Sequence, residues 1–145
     1  IAGERTLVKI PITAAGLPAI TALKAQGVRV TATAVYSTAQ GLLAAAAGAD
    51  YLAPYVNRMS DADIDPLRVI AALREDIDRE GVPTRILAAS FKNVKQVTDA
   101  VAAGAHAVTV SADLLDSMLA LPLVSLAVDA FADDFREAFG AAEIV

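Results

Sequence analysis

The sequence predicts an α/β fold of the TIM (β/α)8-barrel type, of which this chain supplies about five strand-helix units plus a C-terminal helix. Five short β-prone runs recur along the 145 residues, and each is followed by a segment with the apolar spacing of a helix. Such alternation implies a parallel sheet with right-handed crossovers. The runs carry polar residues on one face, toward their C-terminal ends. This favours a barrel over a doubly wound sheet, which is apolar on both faces.

The first two units have clear start and stop signals. A strand is predicted at 7–12, followed by a helix with Thr13 as its N-cap and Gly27 beyond its end. A second strand is predicted at 30–35, and Ser37 is the candidate cap of the helix that follows it.

The third unit opens with a strand at 51–56. A polar loop over 57–63 separates it from a helix that Asp65 caps, with proline at the first helical position. The carboxylates of this loop lack the glycine and the distal glutamate of a calcium loop, so we interpret them as solvated.

The last two units are shorter. Strands are predicted at 85–89 and 107–110, and the helices after them begin near Asn93 and Ser111. A final amphipathic helix is expected over roughly 123–139.

We expect a single domain over 1–145. Five units do not close an eight-stranded barrel, and the sequence begins with Ile1 rather than methionine. The chain is therefore either the C-terminal part of a barrel or a piece whose missing strands come from another chain. Alone, it would expose two sheet edges, which favours association or poor solubility.

Composition excludes several kinds of site. The net charge of −5 argues against nucleic-acid or membrane binding through a basic surface. The chain has no cysteine and one histidine, so a thiolate or histidine-rich metal site and a compact Ser-His-Asp triad are not expected. No apolar run reaches the length of a membrane span, and the expected location is the cytoplasm.

Lys9 is the residue around which a candidate site is organised, because it lies in an otherwise apolar strand. One interpretation is an edge-strand lysine that reaches water and protects the sheet edge. The other is a Schiff-base nucleophile, which must be a free amine.

The strand phases favour the second interpretation. If the polar face of each strand is turned inward, Lys9, Thr33, Tyr55 and Ser90 surround one axis, with Arg58 just beyond. Ser90 is assigned to this set because the alternation of residues 86 and 88 in the fourth strand continues to it. Each polar residue alone is weak support, since threonine and tyrosine are common in strands.

Imine chemistry suits this set. Lys9 would attack a ketone, and the protonated imine would accept electrons during C–C cleavage or formation. Tyr55 would act as acid/base, directly or through a water held with Thr33. Arg58 and the turn at Ser90 would bind a phosphate.

Lys92 is a further candidate for that phosphate site, next to the start of a helix. His106 is expected to be a surface or capping residue in a turn. The phenylalanines 131, 135 and 139 form a stripe expected to pack on the barrel or on a neighbouring subunit.

Four segments together resemble the small transaldolase family, most closely its fructose-6-phosphate aldolase branch. They are 8–13 (Val-Lys-Ile-Pro-Ile-Thr), 33–36 (Thr-Ala-Val-Tyr), 53–58 (Ala-Pro-Tyr-Val-Asn-Arg) and 87–92 (Leu-Ala-Ala-Ser-Phe-Lys). The resemblance covers essentially the whole chain. It implies that Lys9 forms the Schiff base, that Thr33 and Tyr55 hold a catalytic water, and that Arg58 and Ser90 bind the sugar phosphate.

The resemblance also implies reversible cleavage of fructose 6-phosphate to dihydroxyacetone and glyceraldehyde 3-phosphate, without metal or cofactor. Small members of the family form decamers in which the terminal helix reaches a neighbour. Transaldolases usually have phenylalanine at the position of Tyr55, so an aldolase is preferred. A transaldolase that transfers dihydroxyacetone between sugar phosphates, and an inactive fragment that only binds or assembles, remain alternatives.

The departure from the family lies in the missing first three strands. The resemblance thus implies that residues 1–145 are the C-terminal portion of a (β/α)8 barrel and a fragment or partial record of a longer enzyme. With those three strands go an acidic residue, a Thr-Asn-Pro-Ser turn and a water-binding glutamine or glutamate. That last residue also separates aldolases from transaldolases in the family.

Overall fold

The computed structural model describes residues 6–140. It divides the chain into two compact units that meet between Val110 and Ser111. Each unit is described by itself below.

The first unit holds a parallel sheet and its crossover helices. Its strands are β1 (Leu7–Pro11), β2 (Arg29–Val35), β3 (Tyr51–Pro54), β4 (Arg85–Ala88) and β5 (Ala107–Val108). Its helices are α1 (Gly16–Ala25), α2 (Thr38–Ala46), α3 (Val56–Ser60), α4 (Pro66–Glu80) and α5 (Val94–Ala102).

Strand order distinguishes the barrel from the doubly wound alternative. The strands lie in the order β1-β2-β3-β4-β5, and every adjacent pair is parallel. A doubly wound sheet reverses its order at a switch point, and no reversal occurs among the described strands. The predicted barrel-type α/β architecture is therefore confirmed for this part of the chain.

The hydrophobic core lies between the sheet and its helices. The strands contribute alternate residues to it, and the helices contribute large aliphatic side chains. Its fully buried members include Val30, Ala32, Leu52, Ile86 and Ala88 from the strands and Ile20, Ile70 and Leu73 from the helices. The opposite face of the sheet is thus left for the polar side chains of the strands.

The first helix begins later than predicted. Thr13 was expected to be its N-cap, but α1 begins at Gly16. The Thr13 hydroxyl instead accepts a hydrogen bond from the Gly16 N–H at 2.9 Å, within the turn that precedes the helix.

The third strand is shorter than predicted and the expected polar loop is partly helical. β3 ends at Pro54, and the short helix α3 follows at once. The reason is hydrogen bonding across the sheet, because the N–H groups of Val56 and Asn57 donate to the carbonyls of Ala89 and Ser90 at 2.9 and 2.8 Å. These bonds turn the chain and start the helix.

The predicted helix caps are otherwise confirmed. Ser37, Asn93 and Ser111 each accept a hydrogen bond from the N–H three residues further on. Asp65 accepts from the N–H groups of Leu67 and Arg68 at the start of α4.

Gly16 is expected to tolerate no side chain. A Cβ at this position would lie 2.0 Å from the carbonyl oxygen of Pro11, a backbone atom at the end of β1. We expect Gly16→Ala to lower the free energy of unfolding by about 2–3 kcal/mol, because a backbone carbonyl does not move aside as a flexible side chain does. Urea unfolding measures the change.

Gly81 provides the matched control. It has φ +63° and no atom within 4 Å of a Cβ, so Gly81→Ala tests left-handed strain without overlap. That strain costs about 1 kcal/mol. Equal losses in the two variants would contradict the steric explanation for Gly16.

Two titratable side chains, those of Asp50 and His106, form hydrogen bonds with the backbone at the N-terminal ends of the strands. Asp50 binds the Lys24 ammonium with both carboxylate oxygens at 2.8 Å and accepts from the Val30 N–H at 2.7 Å. Burial raises the pKa of this carboxyl, but the Lys24 hydrogen bond, the Val30 N–H and the nearby charges of Lys24 and Arg29 outweigh it and lower the pKa.

His106 joins β4 to the start of β5. The imidazole Nδ1 of His106 accepts a hydrogen bond from the Ile86 backbone N–H at 3.0 Å, and the backbone N–H of His106 donates to the Ile86 carbonyl at 3.0 Å. Burial lowers the pKa of His106, as do the charges of Arg74 and Arg85, and Asp78 opposes the shift. The sequence predicted a surface or capping residue. The structure shows that His106 adds two hydrogen bonds between β4 and the residue that precedes the two-residue strand β5.

The pH dependence of stability follows from that lowered pKa. Below a pH of about 6.5 the unfolded histidine binds a proton that the folded one resists. We therefore expect the urea midpoint to be highest above this pH and to fall as the pH drops from about 6.5 to 5. His106→Asn keeps an acceptor but does not titrate, so its midpoint should fall less over the same range. Parallel curves for the two proteins would contradict this assignment.

The second unit contains α6 (Ala112–Leu119) and α7 (Pro122–Phe139). α7 begins one residue earlier than predicted, with Pro122 at its first position. The rings of Phe135 and Phe139 lie 5.1 Å apart, and Phe131 and Phe139 are each 70% exposed. Within residues 6–140 no single helix has the length and apolarity of a membrane span. The α6–α7 pair meets those criteria only when joined across a bend of 49°.

Candidate active site

A cavity of about 440 Å³ lies on the face of the sheet opposite the helices. Every strand contributes to its walls. The lining residues are Leu7, Lys9, Thr31, Tyr51, Leu87, Ala107 and Thr109. The predicted inward phases of β1, β2 and β3 are thus confirmed, and a cavity of this size is typical of a small-molecule site.

Lys9 lies in the middle of β1, with Thr31 as its register partner on β2. Its side chain is exposed, although it lies in an otherwise apolar strand. The exposure arises because β1 is an edge of the described sheet, so the lysine borders an open cavity.

Thr33 and Tyr55 form a hydrogen-bonded pair. The Thr33 hydroxyl and the Tyr55 phenol oxygen lie 2.8 Å apart, and either one can donate. Thr33 is 7% exposed and opposite Pro11, so it lies on the same face as Lys9 and one step toward the C-terminal ends of the strands. Two predicted catalytic residues therefore meet directly.

A bulge in β2 follows Thr33. The register with β3 shifts between Thr33 and Val35, and Ala34 has φ 56°. The extra residue turns Val35 into the helix-side core, where it is fully buried. It leaves Tyr36 near the site, with its ring edge-on to that of Tyr55 at 5.8 Å between centroids and 68° between planes.

Arg58 covers the Tyr55 ring. Its Cζ lies 4.9 Å from the ring centroid, a cation–π distance. α3 provides this position, because its first residues are bonded to the carbonyls of Ala89 and Ser90. The guanidinium is exposed and faces solvent beside the phenol.

The predicted phase of the fourth strand is wrong. Ile86 and Ala88 were expected to point inward, but both are fully buried on the helix side, and Leu87 lines the cavity. Ser90 has φ 65°, so the alternation of β4 does not continue through it. The Ser90 carbonyl accepts a hydrogen bond from the Asn57 N–H at 2.8 Å, which joins this turn to α3.

Lys92 lies in the same connection but outside the cluster of contacts. Its side chain is exposed, and its backbone N–H donates to the Gln96 side-chain oxygen at 2.8 Å. The Gln96 amide in turn donates to Asn57 Oδ1 at 3.0 Å. This bond ties the start of α5 to α3 and fixes the two loops that carry Arg58 and Ser90.

The structure thus brings Thr33, Tyr55 and Arg58 into contact and places Lys9 on the same face. Sequence reasoning missed Tyr36 as part of this cluster. The available signal was Gln40, three residues after the Ser37 cap, because a glutamine at this spacing bonds back to the backbone at the start of the helix. Its Oε1 accepts the Tyr36 N–H at 2.8 Å and so fixes the backbone of Tyr36.

The fold and this arrangement define a (β/α)-barrel protein with a lysine-lined cavity on the inner face of its sheet. The family model described as Transaldolase/Fructose-6-phosphate aldolase matches residues 1–144. The chain belongs to that family, and its parallel sheet with alternating helices is part of the family's TIM-barrel fold.

A curated relative agrees with this membership. The chain is 57% identical over 134 residues to a protein named "Probable fructose-6-phosphate aldolase" from Streptococcus pneumoniae (strain ATCC 700669 / Spain 23F-1). The match covers 92% of this chain and 60% of the relative. The chain therefore spans about three fifths of the length of that relative.

Proposed function

We propose that the protein is a class I aldolase that reversibly cleaves fructose 6-phosphate to dihydroxyacetone and glyceraldehyde 3-phosphate through a Schiff base on Lys9. The observation that supports this best is the Thr33–Tyr55 hydrogen bond of 2.8 Å on the face of the sheet that carries Lys9. Family membership and the printed name of the relative point to the same chemistry.

The reaction begins when the neutral amine of Lys9 attacks the C2 carbonyl of the ketose. Loss of water from the carbinolamine gives a protonated imine. The C3–C4 bond then breaks as the C4 hydroxyl loses its proton, and the electron pair moves into the imine to give an enamine. Glyceraldehyde 3-phosphate leaves, C3 is protonated, and water releases dihydroxyacetone and the free amine. The imine serves as the electron sink, so the proposal needs no metal or cofactor.

Tyr55 is the proposed acid/base for these proton transfers. Its phenol is held at 2.8 Å from the Thr33 hydroxyl, which orients the oxygen or a water shared by the two groups. Thr33 is nearly buried, so its hydroxyl has few partners with which to exchange this bond.

The substrate phosphate is proposed to lie at Arg58, Ser90 and Lys92. Arg58 is exposed beside the Tyr55 ring, and the Ser90 turn is joined to α3 through the Asn57 N–H. Guanidinium and ammonium groups suit a phosphate dianion.

We further propose that the complete enzyme is a single-domain eight-stranded barrel to which this chain contributes five strands, and that it is a homo-oligomer. The match to three fifths of the relative supports the first statement. The exposed apolar side chains of α7, such as Leu123 at 77% and Phe131 at 70%, support the second.

The test is to trap the imine and to identify the product. The complete protein is incubated with dihydroxyacetone and borohydride, and peptide mass mapping should find one reduced adduct, on Lys9. In a separate assay, fructose 6-phosphate should yield free dihydroxyacetone. Transfer to erythrose 4-phosphate without release would indicate a transaldolase, and a protein without any adduct would contradict the proposal.

A further inference from the structure

We propose that Tyr36 is a positioning residue for the catalytic pair, because it holds the Tyr55 ring in the orientation that keeps the phenol against Thr33. This inference rests on the proposed function and extends it to a residue outside the reacting groups.

The Tyr55 side chain has three described contacts with distinct geometries. Its oxygen bonds to Thr33 at 2.8 Å, the Arg58 guanidinium covers the ring at 4.9 Å, and the Tyr36 ring meets it at 5.8 Å and 68°. The hydrogen bond to Thr33 fixes the position of the phenol oxygen but not the rotation of the ring about its Cβ–Cγ axis, and that rotation sets the direction of the O–H bond, which lies in the ring plane. A second contact on the ring is what fixes its plane, and edge-to-face packing is a directional contact.

Tyr36 is itself well anchored. The Ala34 bulge determines its direction, Gln40 accepts its backbone N–H at 2.8 Å, and Ser37 caps α2 directly after it. Its ring is half-buried and packs against the hydrophobic core. The position of the Tyr36 ring is therefore set by the fold and does not depend on substrate.

Arg58 is a weaker candidate for the same task. It is exposed, and in the proposed function it binds the substrate phosphate. A guanidinium that binds phosphate has less attraction left for the tyrosine face. Once substrate is bound, the Tyr36 contact becomes the main restraint on the Tyr55 ring.

The experiment compares Tyr36→Phe with Tyr36→Leu in the complete protein. Phenylalanine keeps the ring edge, so kcat should stay within about twofold of the wild type. Leucine removes the ring, and kcat should fall about tenfold with KM changed less than twofold, since small misplacements of a reacting group are costly. The end-point yield of the borohydride-trapped adduct on Lys9 should be unchanged in both variants.

Two controls separate positioning from a general loss of stability. Leu42→Ala removes a half-buried core contact on the neighbouring helix α2, so it should lower stability yet keep kcat. In a Tyr55→Phe background, Tyr36→Leu should have little further effect on kcat, because the two residues act through one group.

Three results would overturn the inference. One is a Tyr36→Leu enzyme with wild-type kcat, and another is a full tenfold loss that persists in the Tyr55→Phe background. In both cases the trapped adduct on Lys9 leaves the proposed function standing. A wild type without any adduct would overturn the proposed function and this inference together.

Discussion

Lys9→Arg is expected to lower turnover at least about 10³-fold and to leave the fold intact. A guanidinium stays protonated in proteins and is not a nucleophile, so it forms no imine. The substitution keeps the positive charge and the length of the side chain. Because the Lys9 side chain is exposed at a cavity of about 440 Å³, the larger head group has room.

The measurement combines three readouts on one preparation. Circular dichroism and the urea midpoint should match the wild type, while fructose 6-phosphate cleavage and the borohydride-trapped adduct should both disappear. Lys95→Arg is the matched control, since Lys95 is an exposed lysine of α5 that pairs with Asp99 away from the cavity. Cleavage above about 1% of wild type in Lys9→Arg would exclude an imine on this residue.

The parts of this site that follow from the sequence lie on regular strands. Lys9 and Thr31 occupy the inward phase that alternation assigns to them on β1 and β2, and both line one cavity. The reason is physical, because side chains of a regular strand alternate strictly between its two faces. A polar residue that alternates with apolar residues along a strand is therefore predicted to lie on the face opposite to theirs.

The errors occur where the backbone leaves that regular path. Ala34 and Ser90 both have positive φ, which breaks the alternation in β2 and after β4. Glycine or asparagine at these positions would have signalled a left-handed residue, but alanine and serine rarely adopt it. As a result Leu87 lines the cavity in place of Ile86 and Ala88. For the same reason the contact between Tyr36 and Tyr55 was not predicted.

Long-range hydrogen bonds account for the remaining misplacement. α3 was predicted as a polar loop, since residues 57–63 contain no apolar stripe. Its start depends on the carbonyls of Ala89 and Ser90, more than thirty residues away. Local propensity contains no information about such partners, and the position of Arg58 depends on them.

Tyr55→Phe is expected to lower kcat about 10²- to 10⁴-fold, the usual range for loss of a general acid/base. The phenyl ring retains the contacts with Tyr36 and Arg58, so only the hydroxyl is removed. Its loss leaves the nearly buried Thr33 hydroxyl without its partner, and we expect the free energy of unfolding to fall by about 1 kcal/mol.

Thr33→Val distinguishes the two ways in which Tyr55 can act. If the phenol works through a water that both hydroxyls hold, Thr33→Val should lower kcat by at least about tenfold, and the double variant should be no slower than Tyr55→Phe alone. Thr33→Ser keeps a hydroxyl and should retain most of the activity. If Thr33→Val keeps wild-type kcat while Tyr55→Phe loses it, the phenol transfers the proton directly. If neither variant loses activity, the pair has no role in the reaction, and the acid/base must come from another part of the enzyme.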